Sequence, residues 1–320
     1  MREHSACRRD PPHPRSEPLL PRPDDAIPGA ARATSLRVDA SALRLAVVGC
    51  GRVFERFHHP ALLGSSEWEL VGAVDIRPAR LRWLSSVRPT VPVAESLGAL
   101  PRSEPLDAVL IATPPESHCA LGAEVLRGGT HLLVEKPLAL QQAEAVSLLT
   151  LADKAGRQVW VGFNRRFRSA YAELRRRLEE LPADRIRGLE FDLHTDPRRW
   201  DAIARPTSDP EARGGLIDDL ASHQLDLVPW LLRRPVEAVC ARYLRRELGT
   251  SVVEIELRLS GGIEARCRAG HGTRQLERIA VDLGDRLLVA APIGIFAPRI
   301  AAAQSACCRR MVSTVAFGRR

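Results

Sequence analysis

The sequence predicts an α/β fold: an N-terminal doubly wound parallel sheet, then a C-terminal α+β domain with an open, mainly antiparallel sheet. Three observations predict it. Short apolar runs at residues 43–48, 107–112 and 131–134 show no polar alternation, as strands buried on both faces do. Helix-length segments separate them, the pattern of strand–helix–strand units. From residue 187 onward the runs shorten and alternate apolar with polar, as strands with one wet face do.

The first run, Leu43 to Val48, ends in Gly49-Cys50-Gly51-Arg52-Val53-Phe54, and a helix is expected through Leu63. A second strand, 69–74, ends at Asp75, 24 residues after Gly51. Glycines at such a turn let backbone approach a pyrophosphate, which then rests on free N–H groups at the following helix, here Gly49, Gly51, Arg52 and Val53. Asp75 is placed to accept hydrogen bonds from the adenosine ribose and to repel a 2′-phosphate. This favours NAD, with NADP possible because Arg77 and Arg80 lie close by. Phe54 stands where the third, small residue of this Rossmann fingerprint normally allows tight helix–strand packing. Pro78 suits the first turn of the next helix.

Strand 107–112 is broken by Thr113-Pro114-Pro115, and a helix is expected from about His118 to Arg127. His131 to Val134 then runs into Glu135-Lys136-Pro137. Both breaks fall at strand carboxyl ends, where open α/β sheets hold ligands. Lysine occurs only at 136 and 154, against 45 arginines. An amine can give up a proton when desolvated and a guanidinium cannot, so Lys136 is a candidate for chemistry. A longer helix, about 140–155, and a strand at 159–163 complete this half.

These motifs, VVGCGRV, the acid after the second strand, IATPPESH, EKP and GFNRRF, resemble in order and spacing the glucose–fructose oxidoreductase/inositol dehydrogenase family (Gfo/Idh/MocA), over about residues 43–290. Gly214-Gly215 followed by Asp219, His223 and Asp226 resembles its Gly-Gly…Asp-x-x-x-His-x-x-Asp element. By residues alone, Asp219 and His223 fit equally an i,i+4 pair on a solvated helix. The resemblance implies an NAD(P)-dependent oxidoreductase moving a hydride between nicotinamide and a hydroxyl or keto carbon of a sugar, nucleotide-linked keto-sugar or cyclitol. It implies catalytic Lys136, His223 and Asp219, with His223 as acid–base, Asp219 orienting it or a substrate hydroxyl, and Lys136, its pKa lowered by burial and cofactor charge, on the substrate oxygen. Thr113, Pro114, Pro115, His118, Glu135 and Lys136 join the fingerprint residues, Asp75 and Arg77 as cofactor-binding candidates, and a cis peptide before Pro137 is suggested. The alternatives are a cofactor-binding regulatory or scaffold protein without turnover and an NAD-dependent glycoside hydrolase of the same fold.

The segment 165–181 reads as helical with a solvated basic face. The polar connection 196–213 carries Arg198, Arg199, Trp200 and Arg205, which could meet an anionic substrate. Strands follow at 187–193, 236–243, 251–259, 263–268 and 276–283, a sheet expected to back the substrate site and pair subunits in a homo-oligomer. The boundaries are then a disordered leader 1–42, a nucleotide-binding domain 43–163, a substrate domain 164–298 that reads as short at its C-terminus, and a basic tail 299–320.

The formal charge of +8 comes mostly from residues 286–320, with six arginines and no acid, while residues 43–285 balance 34 basic against 33 acidic groups. That excludes a phosphate-tracking groove in the body, so no nucleic acid is expected. No apolar run is long enough to span a membrane and no export signal is read. Seven cysteines, an odd number without a Cys-x-x-Cys pair, fit neither a disulfide framework nor a zinc site, hence a cytoplasmic setting and no metal.

Overall fold

The computed structural model describes residues 42–101, 104–196, 216–245, 251–271 and 275–291, all within one compact unit. The expected leader up to residue 41, the tail 299–320, Arg198, Arg199, Trp200, Arg205, Gly214-Gly215, Cys7, Cys307 and Cys308 lie outside the described residues.

The first sheet contains β1 (Leu43–Val48), β2 (Trp68–Val74), β3 (Val93–Ala94), β4 (Ala108–Ile111), β5 (His131–Val134) and β6 (Val159–Val161) in the order β3-β2-β1-β4-β5-β6. Every pair is parallel. Alternate residues of one strand enter opposite cores. Leu45 and Val47 pack with Leu70, Leu84 and Leu110, whereas Ala46 and Val48 pack with Val109, Leu126, Leu148 and Val134. Two dry faces explain the unbroken apolar runs. Val48 is level with both Val74 and Ile111, and Ile111 with Val134, so these strands end along one edge. The chain winds outward from β1 through β2 to β3 and restarts on the other side of β1 at β4, which makes the β1/β4 edge the switch point where a crevice opens.

Helices cover this sheet: α1 (His59–Leu63), α2 (Pro78–Val87), α3 (His118–Arg127) and α4 (Gln142–Ala155). Between Gly51 and α1 the backbone widens to a π-helical turn over Phe54–His58. Phe54 is wholly buried in the core, its ring edge-on to Trp83 at 6.4 Å and tilted to His59 at 5.8 Å. The wider turn houses the side chain at the position where a small residue was expected, and burying it stabilises the fold by roughly 1.5–3 kcal/mol.

The second sheet contains β7 (Gly188–Thr195), β8 (Val236–Arg245), β9 (Val252–Leu259), β10 (Ile263–His271), β11 (Leu276–Asp282) and β12 (Leu287–Ala290), in the order β12-β11-β7-β10-β9-β8. Only β7 and β10 pair in parallel. One face carries Phe191, Leu193, Ile255, Cys267 and Ile279 against α5 (Ser169–Glu179) and α6 (Ser222–Leu232), through Tyr171, Leu174, Val228 and Leu231. The other face carries charge. Strands β3 and β12, absent from the sequence reading, are two and four residues long, too short to show a period.

Candidate active site

Gly49 closes β1 with φ +96°, and a Cβ there would lie 2.6 Å from the Ala112 carbonyl oxygen and 2.8 Å from Thr113 Cγ2. Glycine is needed for both the left-handed backbone and the approach to the end of β4. Arg52 and Val53 begin the helical stretch that follows, and helix starts have free N–H groups. This tight turn at a switch point is the cradle a pyrophosphate requires, so the residues present fit a dinucleotide.

Asp75 continues this unit from the end of β2. Its Oδ2 accepts the Cys50 N–H at 2.9 Å and its Oδ1 accepts the Arg77 N–H at 2.9 Å. The Arg77 guanidinium covers the same carboxylate, Nε to Oδ1 at 3.2 Å and Nη2 to Oδ2 at 3.3 Å. Burial works to raise the Asp75 pKa, but these bonds outweigh it and hold the carboxyl below its ordinary range. Cys50 is buried beside it, and desolvation first, then the Asp75 charge, push its thiol up to about 12. Arg80 is engaged elsewhere, donating to the Cys50 carbonyl oxygen at 2.6 Å and to Glu55 at 2.7 Å.

At the end of β4, Thr113 Oγ1 and Ser117 Oγ share a hydrogen bond of 2.7 Å, and Ser117 donates to the Pro114 carbonyl oxygen at 2.8 Å, folding Pro114 and Pro115 into a tight turn. Two residues grouped with the cofactor contacts face inward instead. His118 is fully buried, its Nδ1 on the Pro137 carbonyl at 2.8 Å and its Nε2 on the Thr113 carbonyl at 2.9 Å. With both ring nitrogens occupied, it clamps the two strand-end loops together rather than facing the crevice. The Glu135 carboxylate pairs with buried His58 at 2.7 Å and accepts the Lys136 N–H at 3.3 Å. Burial opposes its ionisation, yet His58 and then Lys136 keep its pKa lowered.

Lys136 follows β5, with a cis peptide to Pro137. Its Nζ donates to the carboxylate Oδ1 of Asp219 at 2.7 Å and to the Asp219 carbonyl oxygen at 2.8 Å. Asp219 sits in a π-helical turn, Ile217–Ala221, that leads into α6. The amine is mostly covered and the carboxylate half-exposed. Desolvation would raise Asp219, but the Lys136 charge and hydrogen bond, with smaller help from His271 and Arg165, leave it lowered.

The helical spacing of Asp219, His223 and Asp226 therefore resolves into separate partners. Asp219 is tied to Lys136 rather than to His223, and Asp226 is bonded by Arg166, with Nε at 2.9 Å. His223 is buried, with the Phe163 ring edge-on at 6.5 Å. Among the described residues neither of its ring nitrogens has a hydrogen-bond partner. Burial first, then the positive charges of Arg165, Lys136 and Arg168, push its pKa well below the usual value, so it is neutral at pH 7.

Two of those cations, Arg165 and Arg168, belong to a cluster that the sequence does not announce, Arg165 falling in a segment that reads as a solvated basic face. Glu277 of β11 accepts Arg165 Nε at 3.0 Å and the Tyr171 hydroxyl at 2.8 Å on one oxygen, and Arg168 Nη1 at 2.7 Å on the other. Although desolvation opposes it, Arg165 and Arg168 hold the Glu277 pKa down to about 2. One signal was available: Glu277 shares the inward face of β11 with Ile279 and Val281, where an acid is out of place without a partner.

Residues 43–163 match the family model described as "Oxidoreductase family, NAD-binding Rossmann fold" (Gfo/Idh/MocA). The myo-inositol dehydrogenase Hyg17 of Streptomyces leeuwenhoekii is 32% identical over 200 residues, 62% of this chain and 58% of that protein. The putative oxidoreductase YceM of Salmonella typhimurium is 33% identical over 208 residues, 65% and 62% of the two chains. The chain thus aligns with about three-fifths of the length of these curated relatives. Among solved structures, a probable dehydrogenase from Thermotoga maritima superposes with a TM-score of 0.74 at 21% identity, covering 86% of this chain and 89% of that one. The scyllo-inositol dehydrogenase of Lactobacillus casei with bound NAD(H) and scyllo-inositol gives 0.73 at 19% identity, over 87% and 90%. At these identities the likeness shows the fold, both sheets included.

Proposed function

We propose that the chain is a member of the Gfo/Idh/MocA family of oxidoreductases and interconverts a secondary alcohol and a ketone on a cyclitol or sugar, using NAD. The observation that carries this reading is the Lys136 amine, held on Asp219 at the carboxyl edge of the sheet that bears the Gly49 cradle. When bound, the nicotinamide accepts or returns the hydride.

This chain's residues handle the proton and the geometry. An ammonium has three N–H donors, and Asp219 engages two of those on Lys136. The third is assigned to the substrate oxygen, where it orients the alcohol and stabilises the negative charge that develops on that oxygen as the hydroxyl proton leaves. His223, neutral and without a partner on its ring nitrogens among the described residues, is assigned as the base that takes the hydroxyl proton, and as the acid that returns it in reduction. Asp219 is assigned to positioning Lys136, a different role from orienting His223. Glu135 and His118 fix the two loops from behind.

The substrate class rests on the inositol dehydrogenases among the relatives. A homo-oligomer built through the second sheet would bring its charged outer faces together, and size-exclusion elution at low and high salt tests that assembly.

The test is nicotinamide absorbance with NAD and a panel of myo-inositol, scyllo-inositol, aldoses and nucleotide-linked sugars. Turnover on a cyclitol or sugar is expected. Tight NADH binding without turnover on any of the panel would overturn the enzymatic reading and favour the regulatory alternative. Sugar release without net NADH formation would instead indicate the glycoside hydrolase.

A further inference from the structure

A carboxylate offers about four acceptor positions on its two oxygens. At Asp75 all four are taken: Cys50 N–H and Arg77 Nη2 on Oδ2, Arg77 N–H and Arg77 Nε on Oδ1. The two backbone donors are fixed by the Gly49 turn and by the start of α2. The two guanidinium donors are not, because the Arg77 side chain is 60% exposed while Asp75 is 4% exposed. The guanidinium also lies over the glycine turn, where a Cβ on Gly51 would be 3.3 Å from Arg77 Nη2.

Resting on the reading of this edge as the dinucleotide site, we infer that Arg77 is its cofactor-specificity residue: its guanidinium competes with the ribose diol of NAD for Asp75 and caps the 2′-phosphate of NADP. The ribose diol brings two donors and needs the two acceptor positions that the guanidinium holds, so NAD binds only as Arg77 swings away. A 2′-phosphate facing Asp75 alone meets a like charge. With Arg77 beside it, the phosphate meets a planar, permanently charged fork suited to bidentate contact. One side chain therefore weakens NAD and admits NADP, which narrows the discrimination that Asp75 alone would impose. Arg80 is engaged elsewhere, with Nε on the Cys50 carbonyl, Nη2 on Glu55 and its guanidinium stacked 4.6 Å from the Trp83 ring centre.

The experiment is fluorescence titration of the full chain, wild type and Arg77→Ala, with NADH, NADPH and adenosine 2′,5′-bisphosphate. Arg77→Ala is expected to tighten NADH about threefold and weaken NADPH and the bisphosphate about tenfold, the loss of one charge-assisted contact. Arg77→Lys, which keeps the charge and loses the fork, should fall between the two for NADPH. Wild type that binds NADH, with an NADPH-to-NADH affinity ratio unchanged in Arg77→Ala, would overturn this inference and leave the cofactor reading standing. Wild type that binds neither cofactor would overturn both.

Discussion

In the first sheet both faces are covered by helices, and the ionisable groups that matter, Asp75, Glu135 and Lys136, stand beyond the carboxyl ends of the strands. In the second sheet one face is just as dry, but the other presents rows of alternating charge across neighbouring strands. Asp192, Arg268, Glu254 and Arg242 lie side by side on β7, β10, β9 and β8, joined by ion pairs. The difference shows where charge is costly. In the parallel sheet the charges within β1 and β2, Arg44 and Glu69, sit side by side near the amino ends, so charge gathered at the opposite, carboxyl edge has functional meaning. In the mixed sheet charge on the wet face is ordinary, and only a charge on the dry face signifies. Glu277 is that charge, and three donors hold it.

The contrast can be broken most sharply at Glu277. Glu277→Ala leaves Arg165 and Arg168 without their carboxylate, and breaking a buried pair from one side costs about 3–5 kcal/mol. Chemical denaturation checks this, and a loss below about 1 kcal/mol would mean the cluster is wet. The same group sets an acid dependence. Its folded pKa of about 2 lies below the ordinary glutamate value of about 4.3, so its contribution is fully present above that ordinary value. It is lost as pH falls toward 2. Glu277→Gln should flatten the stability profile over that interval in a denaturation series across pH.

On the parallel sheet, Gly49→Ala forces a Cβ against the Ala112 backbone at positive φ and should cost about 1–3 kcal/mol. NADH affinity should fall with it, as thermal melting and titration would record. His118→Ala should leave NADH binding within a few-fold of wild type while lowering turnover, since the ring clamps loops rather than contacting ligand; a loss confined to cofactor affinity would restore it to the cofactor contacts. The smallest effect is expected on the wet face. Arg266 pairs with Glu254 and Glu256 at 4.0 and 3.6 Å, and Arg266→Ala should change stability by no more than about 0.5 kcal/mol.

The same contrast explains what was legible in the sequence. β1, β5 and α3 have the limits that their residues suggest, because Gly49 ends β1, Gly129 and Pro137 bracket β5, and Pro115 and Gly128 bracket α3. Gly49, Asp75 and Lys136 stood out because each is a residue type the surrounding pattern excludes. The π-helical turns at Phe54 and Asp219 were not legible, since a single widened turn changes no periodicity that a short window can detect. Nor were the pairings. Spacing set Asp219 beside His223, but the partner of Asp219 came from a loop 83 residues away. The role of His118 was hidden for the same reason: its acceptors are backbone carbonyls, which every residue has.

The central claim is that Lys136 works on the substrate while the Gly49–Asp75 edge holds the cofactor. The direct measurement is NADH titration and turnover on the same preparations of wild type and Lys136→Met, with a cyclitol or sugar that the wild type turns over. The account predicts NADH affinity within a few-fold of wild type and turnover lower by about a hundredfold or more, the usual effect of removing one preorganised donor. Turnover that survives the substitution would contradict it.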